Sequence, residues 1–356
     1  MAGVRRVAAA LTLLVLAAIP SVSSAAPARV RNFDLGQVAI PTPGPFGPVP
    51  VRLRGAIGAP VAPGRHPIVV VLHGRNETGC PVGPLDSDTW PSFPTENRYD
   101  LGLRHVVRSL AMRGVIGVAP SLGGAFTGGW GEPNDRDRWP KIVNRVLRQV
   151  ARENTAGGGR FGVPLLGRVD FRRLGMLGHS LSGQHSVRGA RRRAGNDSPQ
   201  DVARGKGPVR ALFLLAPVSG GGVVLPDVET AIVLAQCDGD TGPMGRVYLE
   251  QARRQEDRRT PVFLARLQGA NHNFFNRTLA RLGADDATTE RPGCRRPRRL
   301  SARAQQRWLD FAAADFFAAT LRGARRPAWL RATGPRPQRV YGRRVLLRLH
   351  SPARPE

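Results

Sequence analysis

Five consecutive apolar residues, Ile68-Val69-Val70-Val71-Leu72, leave no side of a strand for water. Side chains along a strand alternate between two faces, so this segment must be covered on both. Further apolar runs stand at Val115–Ala119, Leu174–Leu177, Val209–Ala216, Ala231–Ala235 and Pro261–Leu267. Between them lie segments of helical periodicity: Tyr99–Arg113, Arg136–Glu153, Ser182–Arg193 and Met244–Asp257, with Ser301–Leu321 after the last. The alternation predicts an α/β fold, a mostly parallel sheet with helices on both faces. Ahead of it, Val30–Ile40 and Val49–Ile57 read as two antiparallel strands, bringing the expected total to about eight. No repeat of solenoid period is present.

The chain has 356 residues, 41% of them hydrophobic, which suffices for a large core and excludes wholesale disorder. A net charge of +28 raises the question of nucleic acid. All but two of the 54 basic residues (Lys141 and Lys206) are Arg, scattered along the whole chain, and only three Tyr are available for stacking. That distribution argues against specific nucleic-acid recognition and for adventitious polyanion affinity, with contact of the basic surface with an acidic cell envelope left open.

Arg5-Arg6, an apolar run from Val7 to Ile19, Pro20 and the small residues through Ala26 have the layout of a secretory signal. The apolar run is shorter than the ~20 residues a spanning helix needs. Residues 1–26 are therefore expected to be removed on export, leaving the α/β domain over 27–322 and an Arg-rich tail over 323–356. Within that tail, Arg339–His350 alternates basic and apolar residues; an added edge strand and a basic surface arm are both open.

The sharpest chemical feature is Gly178-His179-Ser180-Leu181-Ser182-Gly183, directly after one strand and directly before a helix. An elbow between strand and helix holds a central Ser in a strained backbone with its hydroxyl exposed. The residues two before and two after must be small, because strand and helix run close together there. Gly178 and Ser182 occupy those places. A Ser hydroxyl needs a base, and the base needs a carboxylate to orient it. His272 follows the strand Pro261–Leu267, and two acids, Asp238 and Asp240, follow Ala231–Ala235. Ser180, Asp240 and His272 thus stand in the chain order of nucleophile, acid and base, each at a strand's C-terminal end. Asp240 is favoured over Asp238 because the turn usually takes about three residues before its acid. His73, His105, His179 and His185 read as packed or buried-satisfied residues. The developing oxyanion calls for two backbone donors, expected from Leu181 at the helix start and Arg75 in the turn after Leu72-His73-Gly74.

These pieces together resemble the α/β-hydrolase superfamily, and most closely secreted bacterial cutinase-like polyester hydrolases and platelet-activating-factor acetylhydrolase-like esterases. The resemblance spans roughly residues 33–322 and is carried by the HG turn, the GHSxS elbow, the DGD loop and the GANHNF loop. It implies carboxylic-ester cleavage through an acyl-enzyme, with no cofactor and no metal. Trp130, Phe126, Phe274 and Phe275 are candidates for an apolar substrate pocket, and core packing would explain each equally. Peptide cleavage or acyl transfer could use the same residues, and a non-catalytic envelope-binding protein on a hydrolase scaffold is the alternative of another class. Of the three cysteines, Cys237 and Cys294 are the candidate disulfide, tying the acid loop to the segment after His272 and leaving Cys80 over. Gly157-Gly158-Gly159-Arg160-Phe161-Gly162 satisfies GxGxxG but follows a predicted helix, the wrong context for a dinucleotide site. Asn76 and Asn276 head sequons in form only.

Overall fold

A computed structural model describes residues 26–41, 48–75, 97–126, 134–331 and 337–350. The strands are β1 (Ala28–Ile40), β2 (Val49–Pro60), β3 (His66–Leu72), β4 (Ile116–Pro120), β5 (Val169–His179), β6 (Val209–Leu215), β7 (Glu229–Ala235), β8 (Val262–Leu267), β9 (Pro337–Val340) and β10 (Arg343–His350). The helices are α1 (Tyr99–Gly102), α2 (Arg104–Met112), α3 (Asn134–Ala156), α4 (Leu181–Arg192), α5 (Pro199–Ala203), α6 (Arg246–Arg253), α7 (Arg277–Arg281) and α8 (Ala302–Arg322). All ten strands join one mixed sheet in the order β1-β2-β4-β3-β5-β6-β7-β8-β10-β9.

The six strands from β4 to β8 in that order run parallel, and antiparallel strands flank them on both sides. The apolar run of β3 is divided between two cores. Ile68, Val70 and Leu72 face a layer containing Trp139, Val143 and Val146 of α3 and Val187 of α4. Val69 and Val71 face Val107 and Leu110 of α2 and Phe316 and Phe317 of α8. Burying both sides of five such residues, at roughly 1.5–3 kcal/mol for each large side chain, is what forces helices onto both faces.

The sheet is larger than the expected eight strands because the C-terminal segment enters it. Val345 to His350 of β10 pair antiparallel with β8, so the region beyond Gly323 supplies the last two strands of the same sheet. Arg339–His350 is thus no free basic arm: it completes the edge strand β9 and forms β10, which lies between β9 and β8. The helix expected over Tyr99–Arg113 is interrupted at Leu103, which has φ −102° and ψ 6° and lies between α1 and α2. Asn276 explains the break: its side-chain amide donates to the Tyr99 carbonyl at 2.9 Å, and a Cβ on Gly102 would lie 1.8 Å from its Oδ1.

Candidate active site

β5 ends at His179 and α4 begins at Leu181, so Ser180 alone makes the turn, with φ 57° and ψ −128°. Such a conformation costs a non-glycine residue on the order of 1–3 kcal/mol, and its neighbours must hold it. The Ser180 amide donates to Leu215 at 2.9 Å, while its carbonyl accepts from Gly183 at 2.8 Å and Val218 at 3.1 Å. A Cβ on Gly178 would stand 2.2 Å from the Ser182 carbonyl oxygen, so the strand must carry glycine there. Ser182, in the second of the two places that need a small residue, is fully buried and donates its hydroxyl to the His73 carbonyl at 2.6 Å.

The turn after β3 lies against this elbow: a Cβ on Gly74 would come within 2.8 Å of the Ser180 Cβ. His73 fixes the turn's orientation. Its Nε2 receives the Leu122 N–H at 2.8 Å, which makes Nδ1 the protonated nitrogen, donating to the Gly74 carbonyl at 2.8 Å. Burial pushes the His73 imidazole below its ordinary value, consistent with one proton on the ring. The Gly74 carbonyl and the Arg75 N–H belong to one trans peptide, so they point in opposite directions.

The acid bonded to His272 Nδ1 is Asp238. Its Oδ2 lies 3.0 Å from His272 Nδ1, and both side chains are almost wholly buried. Its Oδ1 accepts the backbone N–H groups of Asp240 at 2.9 Å and Thr241 at 2.8 Å, and Thr241 Oγ1 donates to Oδ2 at 2.9 Å. Burial alone would raise the Asp238 carboxyl. The hydrogen bond and charge of His272, joined by bonds from Gly242 and Thr241, outweigh it and hold the group below the ordinary carboxylate value. Asp240, the acid favoured from turn length, does not reach Nδ1. Its side chain is 63% exposed and its Oδ2 sits 3.5 Å from the other ring nitrogen, Nε2. Burial works against charge on His272 as well, but Asp238 by hydrogen bond and charge, then Asp240 and Asp286 by charge, raise it above the ordinary imidazole value.

Two contacts on the His272 loop had no counterpart in the sequence reading. His179 donates from Nε2 to the His272 carbonyl at 3.1 Å, and the two rings lie 4.6 Å apart. Burial first, and the neighbouring His272 second, push His179 well below the ordinary imidazole value, so it stays neutral. The carboxylate of Asp286 accepts N–H groups from Gly239, His272 and Asn273.

Cys237, immediately before Asp238, is bridged to Cys294 with the Cα atoms 5.4 Å apart. The aromatic candidates separate. Phe275 is fully buried in the core with Trp308 and Phe316, and so is removed from the pocket set. Phe126 is 8% exposed and packs edge-on to His73, 6.1 Å between centroids. Phe274 is half-buried and lines a cavity of about 330 Å³ with Asn271 and Gln305. Trp130, Cys80, the Asn76 sequon and residues 1–25 lie outside the described residues. His105 bonds Asp310 at 2.6 Å and His185 lies 5.5 Å from the Trp139 ring, both packing roles.

Among the described residues, no group of three or more His, Cys, Asp or Glu side chains is arranged to hold a metal ion. No helix among them is long and apolar enough to cross a membrane. Comparison with protein-family models and with curated proteins finds no match to this chain.

Proposed function

We propose that this chain is an exported serine hydrolase of the α/β-hydrolase type that cleaves carboxylic esters through an acyl-enzyme. The observation that carries the reading is the pairing of a strained Ser180 elbow with a buried Asp238–His272 dyad at the ends of parallel strands. Three backbone hydrogen bonds keep this strained backbone in place, and strain of this kind on a non-glycine residue clusters at functional sites.

In the proposed sequence, His272 Nε2 takes the Ser180 proton as Oγ attacks the ester carbonyl. Asp238 holds Nδ1–H and stabilises the imidazolium that forms. The N–H groups of Leu181 and Arg75 receive the charge that develops on the carbonyl oxygen. His272 then gives its proton to the leaving alcohol, and a water molecule repeats the attack to release the acid and free Ser180. The Arg5-Arg6 leader and the Cys237–Cys294 bridge support export to an oxidising space.

The test is a fluorophosphonate probe together with p-nitrophenyl esters from acetate to palmitate. Labelling of Ser180 with ester turnover is expected, and Ser180→Ala should remove both without unfolding the chain. A folded Ser180→Ala variant that retains more than about a hundredth of the activity would refute the assignment, since residual rates without the nucleophile are far smaller.

A further inference from the structure

The dyad is assembled from two loops that are remote in sequence, one after β7 and one after β8, and a 3.0 Å bond between them demands that their spacing be fixed. Strand pairing ends at Ala235 and Leu267, and past it the Cys237 N–H donates to the Ala270 carbonyl at 2.7 Å, a first tie between the two loops ahead of the dyad itself. From Asp238 onward a third segment adds the remaining ties. The Thr288 N–H donates to the Cys237 carbonyl at 3.0 Å, and Asp238 and Ala287 form an isolated antiparallel bridge. A Cβ on Gly239 would meet the Asp286 carbonyl oxygen at 2.2 Å, so the acid loop lies flat against this segment.

From there the Asp286 side chain spans both loops. Its Oδ2 accepts the Gly239 N–H at 3.2 Å and the His272 N–H at 3.1 Å, and its Oδ1 accepts the Asn273 N–H at 2.9 Å. One oxygen atom therefore gathers the residue after Asp238 and the base itself. We infer that Asp286 is a positioning residue for catalysis: its carboxylate is the joint that sets Asp238 against His272, and its charge supports the imidazolium. This rests on the proposed Ser–His–Asp chemistry.

The charge and the geometry are separable. The groups facing His272 are Asp238, Asp240 and Asp286, which favour its proton, together with the neutral His179 ring. Asp286 itself faces His272, Asp238 and the three amides, and burial pushes its carboxyl up. Asp286→Asn keeps the shape but removes the charge and turns an NH₂ toward at least one backbone donor. Asp286→Glu keeps the charge on a longer arm.

The experiment measures kcat/KM for p-nitrophenyl butyrate against pH in the full chain for both variants, with circular dichroism to establish folding and Ser180→Ala alongside. Asp286→Asn is expected to lose about tenfold to a hundredfold in kcat/KM, the cost of misplacing a reacting group by a fraction of an ångström to one ångström. Its acid limb should move to lower pH, because a negative charge beside His272 has gone. Asp286→Glu should be slow as well but keep the wild-type limb. A folded Asp286→Asn with wild-type rate and limb, beside an inactive Ser180→Ala, overturns the joint and leaves the hydrolase reading standing. A fully active Ser180→Ala overturns that reading, and the joint with it. Should Asp286→Asn fail to fold, Asp286→Glu decides alone: a wild-type rate overturns the proposal.

Discussion

The Ser182 hydroxyl lies 2.6 Å from the His73 carbonyl, joining the elbow helix α4 to the turn after β3 across their buried contact. In the proposed enzyme these two elements carry the two oxyanion donors, Leu181 and Arg75. The hydroxyl therefore fixes the separation of the donors. Ser182→Ala leaves the His73 carbonyl buried without its partner and should cost about 1–3 kcal/mol of stability. Ser182→Gly should cost at least as much, since it also loosens the first turn of the helix. Urea unfolding reads the stability, and both variants should lower kcat with KM little changed.

Asp238 and Asp240 offer a clean comparison because both approach His272, on opposite ring nitrogens. A base that must present Nε2 to the nucleophile needs its proton on Nδ1, and only Asp238 holds that tautomer. Asp238→Asn should lower kcat by about three to four orders of magnitude, whereas Asp240→Asn should change it less than tenfold. Steady-state kinetics on the two purified variants decides it. The reverse result would return the role to Asp240.

The direction of the His272 shift fixes the acid limb. His272 must be neutral to accept the serine proton, and Asp238, Asp240 and Asp286 hold its folded-state value above that of a free imidazole. Activity should therefore fall with decreasing pH through a midpoint above about 6.5. For stability the raised His272 contributes fully below its unfolded value and is lost as pH rises through the folded one. The depressed Asp238 works the other way: its contribution is present above its unfolded value and is lost as pH falls through the folded one. Asp240→Asn should move the acid limb lower while leaving the plateau rate nearly intact, which a kcat/KM profile would reveal.

The bridge between Cys237 and Cys294 closes a separation of 57 residues. In the chain-entropy model such a loop stabilises the native state by about 4 kcal/mol. Cys237 also precedes Asp238, and its backbone bonds Ala270 and Thr288. Reduction, or the Cys237→Ala/Cys294→Ala pair, should lower Tm by several degrees and activity by more than the fraction unfolded. An unchanged Tm under dithiothreitol, with both thiols shown free by alkylation, would remove the bridge from the stability argument.

What could be read in the chain was what local sequence dictates. The elbow is contiguous, and small residues at 178 and 182 follow from one close approach, so its position needed no tertiary knowledge. The choice between Asp238 and Asp240 depended on which acid turns inward. Asp238 turns inward because its Oδ1 caps the amides two and three residues ahead, a feature of the folded turn rather than of its spacing. Asp286 carried no signal at all: it sits in an aperiodic stretch and acts through backbone amides whose own residue types reveal nothing. Phe274 and Phe275 looked equivalent as neighbours, yet the short helical turn over Asn273–Phe275 sends one into the core with α8 and leaves the other half-buried.

The C-terminal strand makes the last case. β8 would be the edge of the parallel region if β10 did not pair with it from Val345 to His350. Val345 and Leu347 are buried in the same core as Trp308 and Trp329, so the strand contributes apolar burial as well as hydrogen bonds. Glu229 at the start of β7 adds a bidentate ion pair to Arg326, at 2.8 and 2.7 Å, which fastens the chain on its way to that strand. Truncation after Leu330 would bare one side of β8, a row of unpaired backbone groups that invites association with other chains. The truncated protein should unfold at lower urea concentration and sediment as oligomers. His272 follows β8 directly, so its kcat should fall further than the loss of folded material explains. A truncation that stays monomeric with full activity would show that β8 and the His272 loop are held without the tail.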